Sequence, residues 1–151
     1  MKQTFLALLI VVAISGLAGS AAKSLQVTDL PAAVQKTVQD TLKGAEVKNI
    51  SKEVEKGVTQ YEVETMLNGK HRDFNVDAKG KLVVVEDEVD IASIPAAAKA
   101  AIEKKAAGGK LGMVETVDKG DGVTLYEAAF TSKAGKKGAV VVKADGTETK
   151  D

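Results

Sequence analysis

The sequence contains no cysteine, which excludes disulfides, thiolate metal ligands and thiol nucleophiles, and it also contains no tryptophan. It has a single histidine, so catalysis of the Ser/His or Cys/His type is nearly excluded. A zinc site would need further nitrogen or sulfur ligands, which the chain does not have. That histidine, His71, follows the turn dipeptide Asn68-Gly69 within the basic run Lys70-His71-Arg72. We therefore expect His71 to be an exposed strand residue.

Charge is balanced, with 21 basic and 21 acidic side chains, and this offers no long-range attraction for nucleic acid or anionic lipid. No glycine-rich phosphate loop follows a strand and opens a helix, so nucleotide binding is not expected. Aromatic residues make up only 3% of the chain. Those beyond residue 22 alternate inward on predicted strands: Tyr61, Phe74, Tyr126 and Phe130. We therefore expect no cofactor, no nucleic-acid partner and core packing for the aromatics.

The first 22 residues are typical of a secretory signal peptide. Lys2 precedes an apolar run over residues 5–14, which is much shorter than the roughly 20 residues needed to cross a bilayer. Small residues follow as far as Ala22, so cleavage is predicted before Lys23; an uncleaved anchor is the alternative. Ser20 stands where a lipoprotein would carry its lipidated cysteine. The prediction is a periplasmic or secreted protein with no stable membrane insertion after cleavage.

The two prolines of the chain lie at equivalent places in two similar segments. Residues 30–34 read LPAAV and residues 94–98 read IPAAA, while residues 61–63 read YEV and residues 126–128 read YEA. The offset between matching positions changes only slightly, as length changes in turns would produce. This pattern predicts two tandem repeats, with the first over residues 23–90, including an acidic linker, and the second over residues 91–151.

Each predicted repeat begins with a helix and continues with strands. Apolar residues recur at every fourth position in two stripes, which are Leu30, Val34, Val38 and Leu42, and then Ile94, Ala98, Ile102 and Ala106. The period then changes to two, with Asn68-Gly69 as a hairpin turn. The predicted fold is α+β, with each repeat formed by one helix packed on an antiparallel meander of three to four strands. Since about 60 residues bury little surface, the halves are expected to share a core or a continuous sheet.

The strand face directed away from the helix is polar and is the predicted surface for a partner. Its candidate contacts are Gln60, Glu62, Glu64, Lys70 and Arg72. Carboxylates such as Glu62, Glu64 and Glu127 alternate outward, so no desolvated pocket is predicted to raise a pKa among them. We therefore expect a non-enzymatic binding or regulatory module, and an enzyme would require a mechanism based on carboxylates alone.

An acidic run between the two halves suggests a second possibility. It is expected to be a solvated linker, since clustered acidic residues mostly lie at the surface. The alternative function is an envelope protein that binds or senses cations through Glu86, Asp87, Glu88 and Asp90.

Several short motifs resemble the PepSY-like, or β-lactamase-inhibitor-like, family of exported bacterial proteins. These are LPAAV at the helix start, GAEV over residues 44–47, YEVE over residues 61–64, NGK over residues 68–70 and VDAKGK over residues 76–81. The resemblance implies tandem units of a helix on an antiparallel sheet in the periplasm or envelope. It also implies an unidentified protein partner there, such as a secreted peptidase or a cell-envelope enzyme that the module restrains.

Overall fold

The computed structural model describes residues 24–55 and 57–149. The predicted signal peptide, residues 1–22, and its cleavage site lie outside this part of the chain. Within the described residues, no helix has the length and apolar character that a membrane span requires.

Each of the two helices is followed by a series of antiparallel strands. After a short 3-10 turn at Val27–Asp29, the order along the chain is α1 (Ala32–Leu42), β1 (Glu46–Glu55), β2 (Val58–Leu67), β3 (Lys70–Asp77), β4 (Leu82–Glu88), α2 (Ala96–Ala106), β5 (Lys110–Asp118), β6 (Thr124–Thr131) and β7 (Lys137–Lys143). The predicted short strand at the C-terminus is reduced, within the described residues, to one bridge between Val142 and Glu148.

The strands form one seven-stranded antiparallel sheet in the order β1-β2-β3-β4-β5-β6-β7. The prediction of two tandem repeats, each with its own meander of three to four strands, is therefore wrong. The first four strands do not end at a free edge, because β5 pairs with β4 from Val85–Asp118 to Glu88–Glu115. This pairing satisfies backbone N–H and C=O groups that a separate meander would leave exposed. The expectation of a continuous sheet is confirmed.

Backbone contacts divide the chain into two compact units, and β5 contributes to both. Among the described residues, the α1 unit comprises residues 24–55, 57–89 and 115–124, so it includes α1, β1 to β4 and the second half of β5. The α2 unit comprises residues 90–114 and 125–149.

The core of the α1 unit lies between α1 and the sheet. Val34 and Val38, four residues apart on α1, are completely buried and pack against Val63, Phe74 and Val76 of β2 and β3. This confirms the first predicted helical stripe, although Leu42 is only partly buried. The spacing works because residues i and i+4 lie on the same helix face, while alternate strand residues point to the same side of the sheet.

Gly80 allows the β3–β4 turn to approach α1 closely. Its φ of +86° is left-handed, and a Cβ atom there would lie 2.6 Å from the carbonyl oxygen of Ala33. The Thr37 hydroxyl on α1 donates to the Gly80 carbonyl at 2.5 Å. The turn and the helix are therefore held together by a contact that only glycine permits.

In the α2 unit, the second predicted stripe is buried as expected. Ala98, Ile102 and Ala106 on α2 are buried, as is Ile94 just before the helix. The buried apolar residues of the strands in this unit are small or β-branched and include Ala128, Val140 and Val142. Because two members of the α2 stripe are alanine, this helix buries less apolar area than α1.

Candidate functional site

The sheet of the α1 unit has a core face toward α1 and an opposite face that is rich in carboxylates. Side-chain alternation along β2 places Tyr61 and Val63 in the core and Glu62 on the opposite face. The register extends this face to the strands on either side. We call the following carboxylates the acidic face: Glu53, Glu62, Glu64, Asp73, Glu86, Glu88 and Glu115. Within the described part of the α1 unit, no register-paired strand position on this side of the sheet is lysine or arginine.

Glu62 lies near the middle of β2 and is half-buried. Burial raises the pKa of its carboxyl to about 7, and the negative charges of Glu53, Glu64 and Asp73 add to this effect. The Ser51 hydroxyl donates to Glu62 Oε2 at 3.3 Å, which acts in the opposite direction. Glu62 therefore titrates close to neutral pH, which contradicts the expectation of an ordinary solvated carboxylate.

Asp73 stands at a point where side chains replace part of the β2–β3 backbone ladder. The register runs through Val63–Phe74 and resumes at Met66–His71. Between them, the Thr65 N–H donates to Asp73 Oδ1 at 2.8 Å, and the Thr65 hydroxyl donates to the Arg72 carbonyl oxygen. Burial raises the pKa of Asp73, while the Thr65 N–H and His71 oppose the increase.

Glu115 brings a further half-buried carboxyl to the acidic face from β5. Burial raises its pKa to about 7, with an additional contribution from the charge of Asp73. Glu88 lies directly opposite Glu115, and like charges in that position repel. Glu88 Oε2 accepts a hydrogen bond from the His71 backbone N–H at 3.0 Å, and the exposed His71 ring lies 3.8 Å from Asp73 Oδ2.

Gln60 is the polar residue on this side of the sheet that is most deeply buried, with only 8% of its surface exposed. It lies opposite Glu53 on β1 and Asp77 on β3. Its carbonyl oxygen Oε1 is buried and accepts no hydrogen bond from any described residue. An acceptor in this state costs about 1–3 kcal/mol relative to a hydrogen-bonded one.

The structure separates the five predicted partner contacts between the two faces of the sheet. Gln60, Glu62 and Glu64 share the side of the acidic face, whereas Lys70 and Arg72 alternate toward the α1 side. Arg72 Nη1 donates to Asp87 Oδ1 at 2.6 Å and to Oδ2 at 2.9 Å. The basic residues are therefore not part of the surface that the glutamates form, and the role of all five in binding stays a prediction.

The four predicted cation ligands are also divided by strand alternation. Glu86 and Glu88 belong to the acidic face, Asp87 pairs with Arg72 on the other side, and Asp90 follows the end of β4. Among residues 24–55 and 57–149, no group of three His, Asp or Glu side chains could hold a metal ion. Cation binding by this segment stays a prediction, which calorimetric titration with calcium tests.

Sequence reasoning missed Asp73 and Glu115 and misjudged Glu127. The Asn68-Gly69 turn, with φ angles of +54° and +80°, sets the hairpin register and thereby brings Asp73 toward Glu64. That signal was present in the sequence. The position of Glu115 depends on β4–β5 pairing across an intervening helix, and Glu127, predicted to point outward, is only 3% exposed.

Exposed apolar side chains gather at one end of the sheet in the α1 unit. Val54 and Val58 flank the β1–β2 turn, Leu82 begins β4 and Val123 follows β5. At the same end, residues 82–85 and 118–120 line a pocket of about 80 Å³. Pockets for metabolites usually exceed about 300 Å³. This end is therefore better suited to surface contacts than to enclosing a ligand.

Comparison with known proteins gives similarity in structure alone. Neither a protein-family model nor a curated protein sequence matches the chain. Solved structures that resemble it include a protein from Bacteroides eggerthii described as periplasmic, with a TM-score of 0.65 and 15% identity over 80% of this chain and 86% of that one. A DUF2874 family protein from Bacteroides uniformis gives a TM-score of 0.64 and 15% identity, covering 80% and 86%.

A third similar structure is a BLIP-like protein from Bacteroides fragilis, with a TM-score of 0.58 and 17% identity over 80% of this chain and 83% of that one. At these identities the likeness concerns the fold. The resemblance to β-lactamase-inhibitor-like proteins is thus confirmed for the fold, while PepSY-like membership stays a prediction. The chain shares a BLIP-like fold with these proteins.

Proposed function

We propose that this protein is a non-enzymatic, exported binding module whose acidic face contacts a partner protein in the periplasm or envelope. The observation that carries the proposal is the half-buried row of carboxylates on the sheet face opposite α1. Three of them, Glu62, Asp73 and Glu115, have raised pKa values because of burial and mutual repulsion. A partner that covers this face with compatible groups relieves that repulsion.

The open part of the acidic face lies mainly on β1 to β3, because Val84 and Val117 on the same side of β4 and β5 are buried. Three strands at about 4.8 Å spacing, with strands about 25 Å long, give a surface on the order of 350 Å². A stable protein interface buries about 800 Å² on each partner. The acidic face therefore provides part of such an interface, and the exposed Val58, on the same side of β2 as Glu62, extends it.

The resemblance to PepSY-like and inhibitor-like modules supports a regulatory role. In that role the module restrains a secreted peptidase or a cell-envelope enzyme. The similar structure described as periplasmic supports this compartment, and the similar structure described as BLIP-like supports an inhibitor-like fold.

Site-specific photocrosslinking in the cell envelope tests the binding face. A photoreactive residue at Met66, on the same side of β2 as Glu62, leaves every carboxylate in place. The control position is Asp40, whose exposed side chain lies on α1. We expect a discrete crosslinked protein from position 66 and none from position 40. Equal yields from both positions, or none from either, would contradict the assignment.

Export is part of the same proposal and has its own test. The signal peptide is proposed to be removed before Lys23, so the exported protein begins with the sequence KSLQ. Intact-mass measurement of protein from the periplasmic fraction gives its N-terminus directly. An unprocessed chain that stays with the inner membrane would contradict this part of the proposal.

A further inference from the structure

One acceptor on the acidic side of the sheet lacks a partner where carboxylates surround it. Gln60 Oε1 is buried without a hydrogen bond from the described residues, and Glu62 follows two positions later on the same side of β2. Residues two apart on a strand are separated by about 7 Å. Glu53 on the neighbouring strand lies opposite Gln60. A buried amide oxygen next to carboxylates is an environment that favours a donor with positive charge.

We infer that the acidic face binds a lysine or arginine side chain from a basic segment of the partner protein, with Gln60 Oε1 and the Glu62 carboxylate accepting its hydrogen bonds. This inference rests on the proposed function and adds the chemistry of the partner. Both acceptors belong to the α1 unit, and no strand position paired with them on this side carries a positive charge.

The arrangement of the acceptors in a row along and across the strands favours a basic peptide segment over a single metal ion. A calcium ion requires six to eight oxygens at roughly 2.3–2.6 Å around one point. The acceptors here are instead spread along and across strands, from Glu53 through Glu62 to Asp73. An extended chain with basic residues at intervals matches such a row, since alternate strand residues repeat at about 7 Å.

The electrostatic environment of Glu62 also favours a basic segment of the partner. The pKa of Glu62 is about 7 because its charged form is desolvated and faces other carboxylates. A cation placed within about 4–6 Å favours the charged form and lowers that pKa. Binding near pH 7 is therefore expected to release a proton from Glu62. The ionisable groups that face it or its neighbours are Glu53 on β1, Glu64 on β2, Asp73 and His71 on β3, Glu86 and Glu88 on β4, and Glu115 on β5.

The test uses hexalysine as the probe and isothermal titration calorimetry on the full chain. Measurements at 50 and 150 mM salt separate local contacts from long-range attraction, because the Debye length at the higher salt is about 8 Å. Glu62→Gln is compared with Asp40→Asn, which removes the same charge from an exposed site on α1. We expect Glu62→Gln to weaken binding at least tenfold and Asp40→Asn to weaken it less than twofold.

Two further readouts examine the individual acceptors. Gln60→Met keeps the side-chain length but removes the carbonyl oxygen, and we expect it to weaken binding about 2–10-fold. Titration at pH 7 in buffers of different ionisation enthalpy counts released protons, and the count is expected to fall in Glu62→Gln. Circular dichroism shows whether Gln60→Met folds; if it does not, Glu62→Gln and the proton count decide the matter.

Each remaining outcome overturns the inference in a recognisable way. Equal weakening by Glu62→Gln and Asp40→Asn identifies general attraction between opposite charges. Calcium that binds with the same dependence on Glu62 and displaces hexalysine identifies a cation site instead. A crosslinked partner from position 66 together with no binding of hexalysine leaves the proposed function standing but refutes a basic partner. If neither a crosslinked partner nor binding of hexalysine is found, both the proposed function and the basic partner are refuted.

Discussion

Replacing Glu62 by glutamine is expected to stabilise the protein at pH 8 and to change its stability little at pH 5. The substitution keeps the shape of the side chain and an oxygen that accepts from Ser51. It removes the negative charge that burial and the neighbouring carboxylates Glu53 and Glu64 disfavour. The variant is therefore expected to be more stable than the wild type only at pH values at which the Glu62 carboxyl of the wild type is ionised.

The sign and size of this change in stability follow from proton linkage. The pKa of Glu62 is raised from 4.5 to about 7 on folding, so between these values the native state holds a proton that the unfolded state has lost. Its contribution to the free energy of unfolding is greatest below pH 4.5 and is lost as the pH rises through about 7. The shift corresponds to roughly 3 kcal/mol, and solvent screening of a half-buried group reduces this to about 1–2 kcal/mol.

Thermal unfolding of wild type, Glu62→Gln and Asp40→Asn at pH 5 and pH 8 provides the assay. For a chain of this size, a gain of about 1–2 kcal/mol at pH 8 corresponds to an increase of about 2–8 °C in the Tm of Glu62→Gln. Asp40, which pairs with Lys36 at 2.6 Å on the helix surface, is the matched control and is expected to gain nothing. A loss of stability at pH 8, or an equal gain at both pH values, would refute the reasoning.

Three other substitutions test different parts of the structure. Glu115→Gln is expected to raise the Tm at pH 8 but not at pH 5, because the pKa of Glu115 is also raised to about 7; identical pH profiles for variant and wild type would show that Glu115 is solvated. Gly80→Ala is expected to lower the free energy of unfolding, measured in urea, by at least about 3 kcal/mol, because the new Cβ would lie 2.6 Å from the Ala33 carbonyl oxygen. Gly69→Ala, which has open space around it, is expected to lower it by about 1–2 kcal/mol. Equal losses would show that the close contact between Gly80 and α1 does not contribute to stability. Phe74→Ala is expected to cost about 3–5 kcal/mol because the ring is only 1% exposed, and a cost below 1 kcal/mol would contradict its place in the core.

Local features of the fold were predictable because they depend on nearby residues. The stripe that contains Val34 and Val38 defines the buried side of α1, and its four-residue spacing is visible in the sequence. The Asn68-Gly69 dipeptide supplies the two left-handed residues that a tight hairpin needs. Both predictions are confirmed because helix periodicity and turn chemistry act over a few residues.

The division into repeats failed because it depended on a partner far away in the chain. The internal similarity is real in sequence, yet β4 needs a neighbour for its second edge, and β5 supplies it after an entire helix. Nothing in residues 82–88 indicates which later strand will pair with them.

The acidic face was only partly predictable for the same reason. Alternation along β2 correctly placed Glu62 and Glu64 on the side away from α1. Their environment depends on Glu53, Asp73 and other residues that reach them through cross-strand register. A pKa near 7 therefore emerges from the assembled sheet, whereas the isolated strand predicts an ordinary glutamate.

Photocrosslinking from Met66 in the native envelope, carried out in the wild-type and Glu62→Gln backgrounds, tests whether the acidic face is the binding surface. We expect one dominant crosslinked protein in the wild type, a much lower yield in Glu62→Gln and no product from the control position on α1. A crosslink whose yield does not change with Glu62, or a product obtained equally from α1, would show that the acidic face is not where this protein meets its partner.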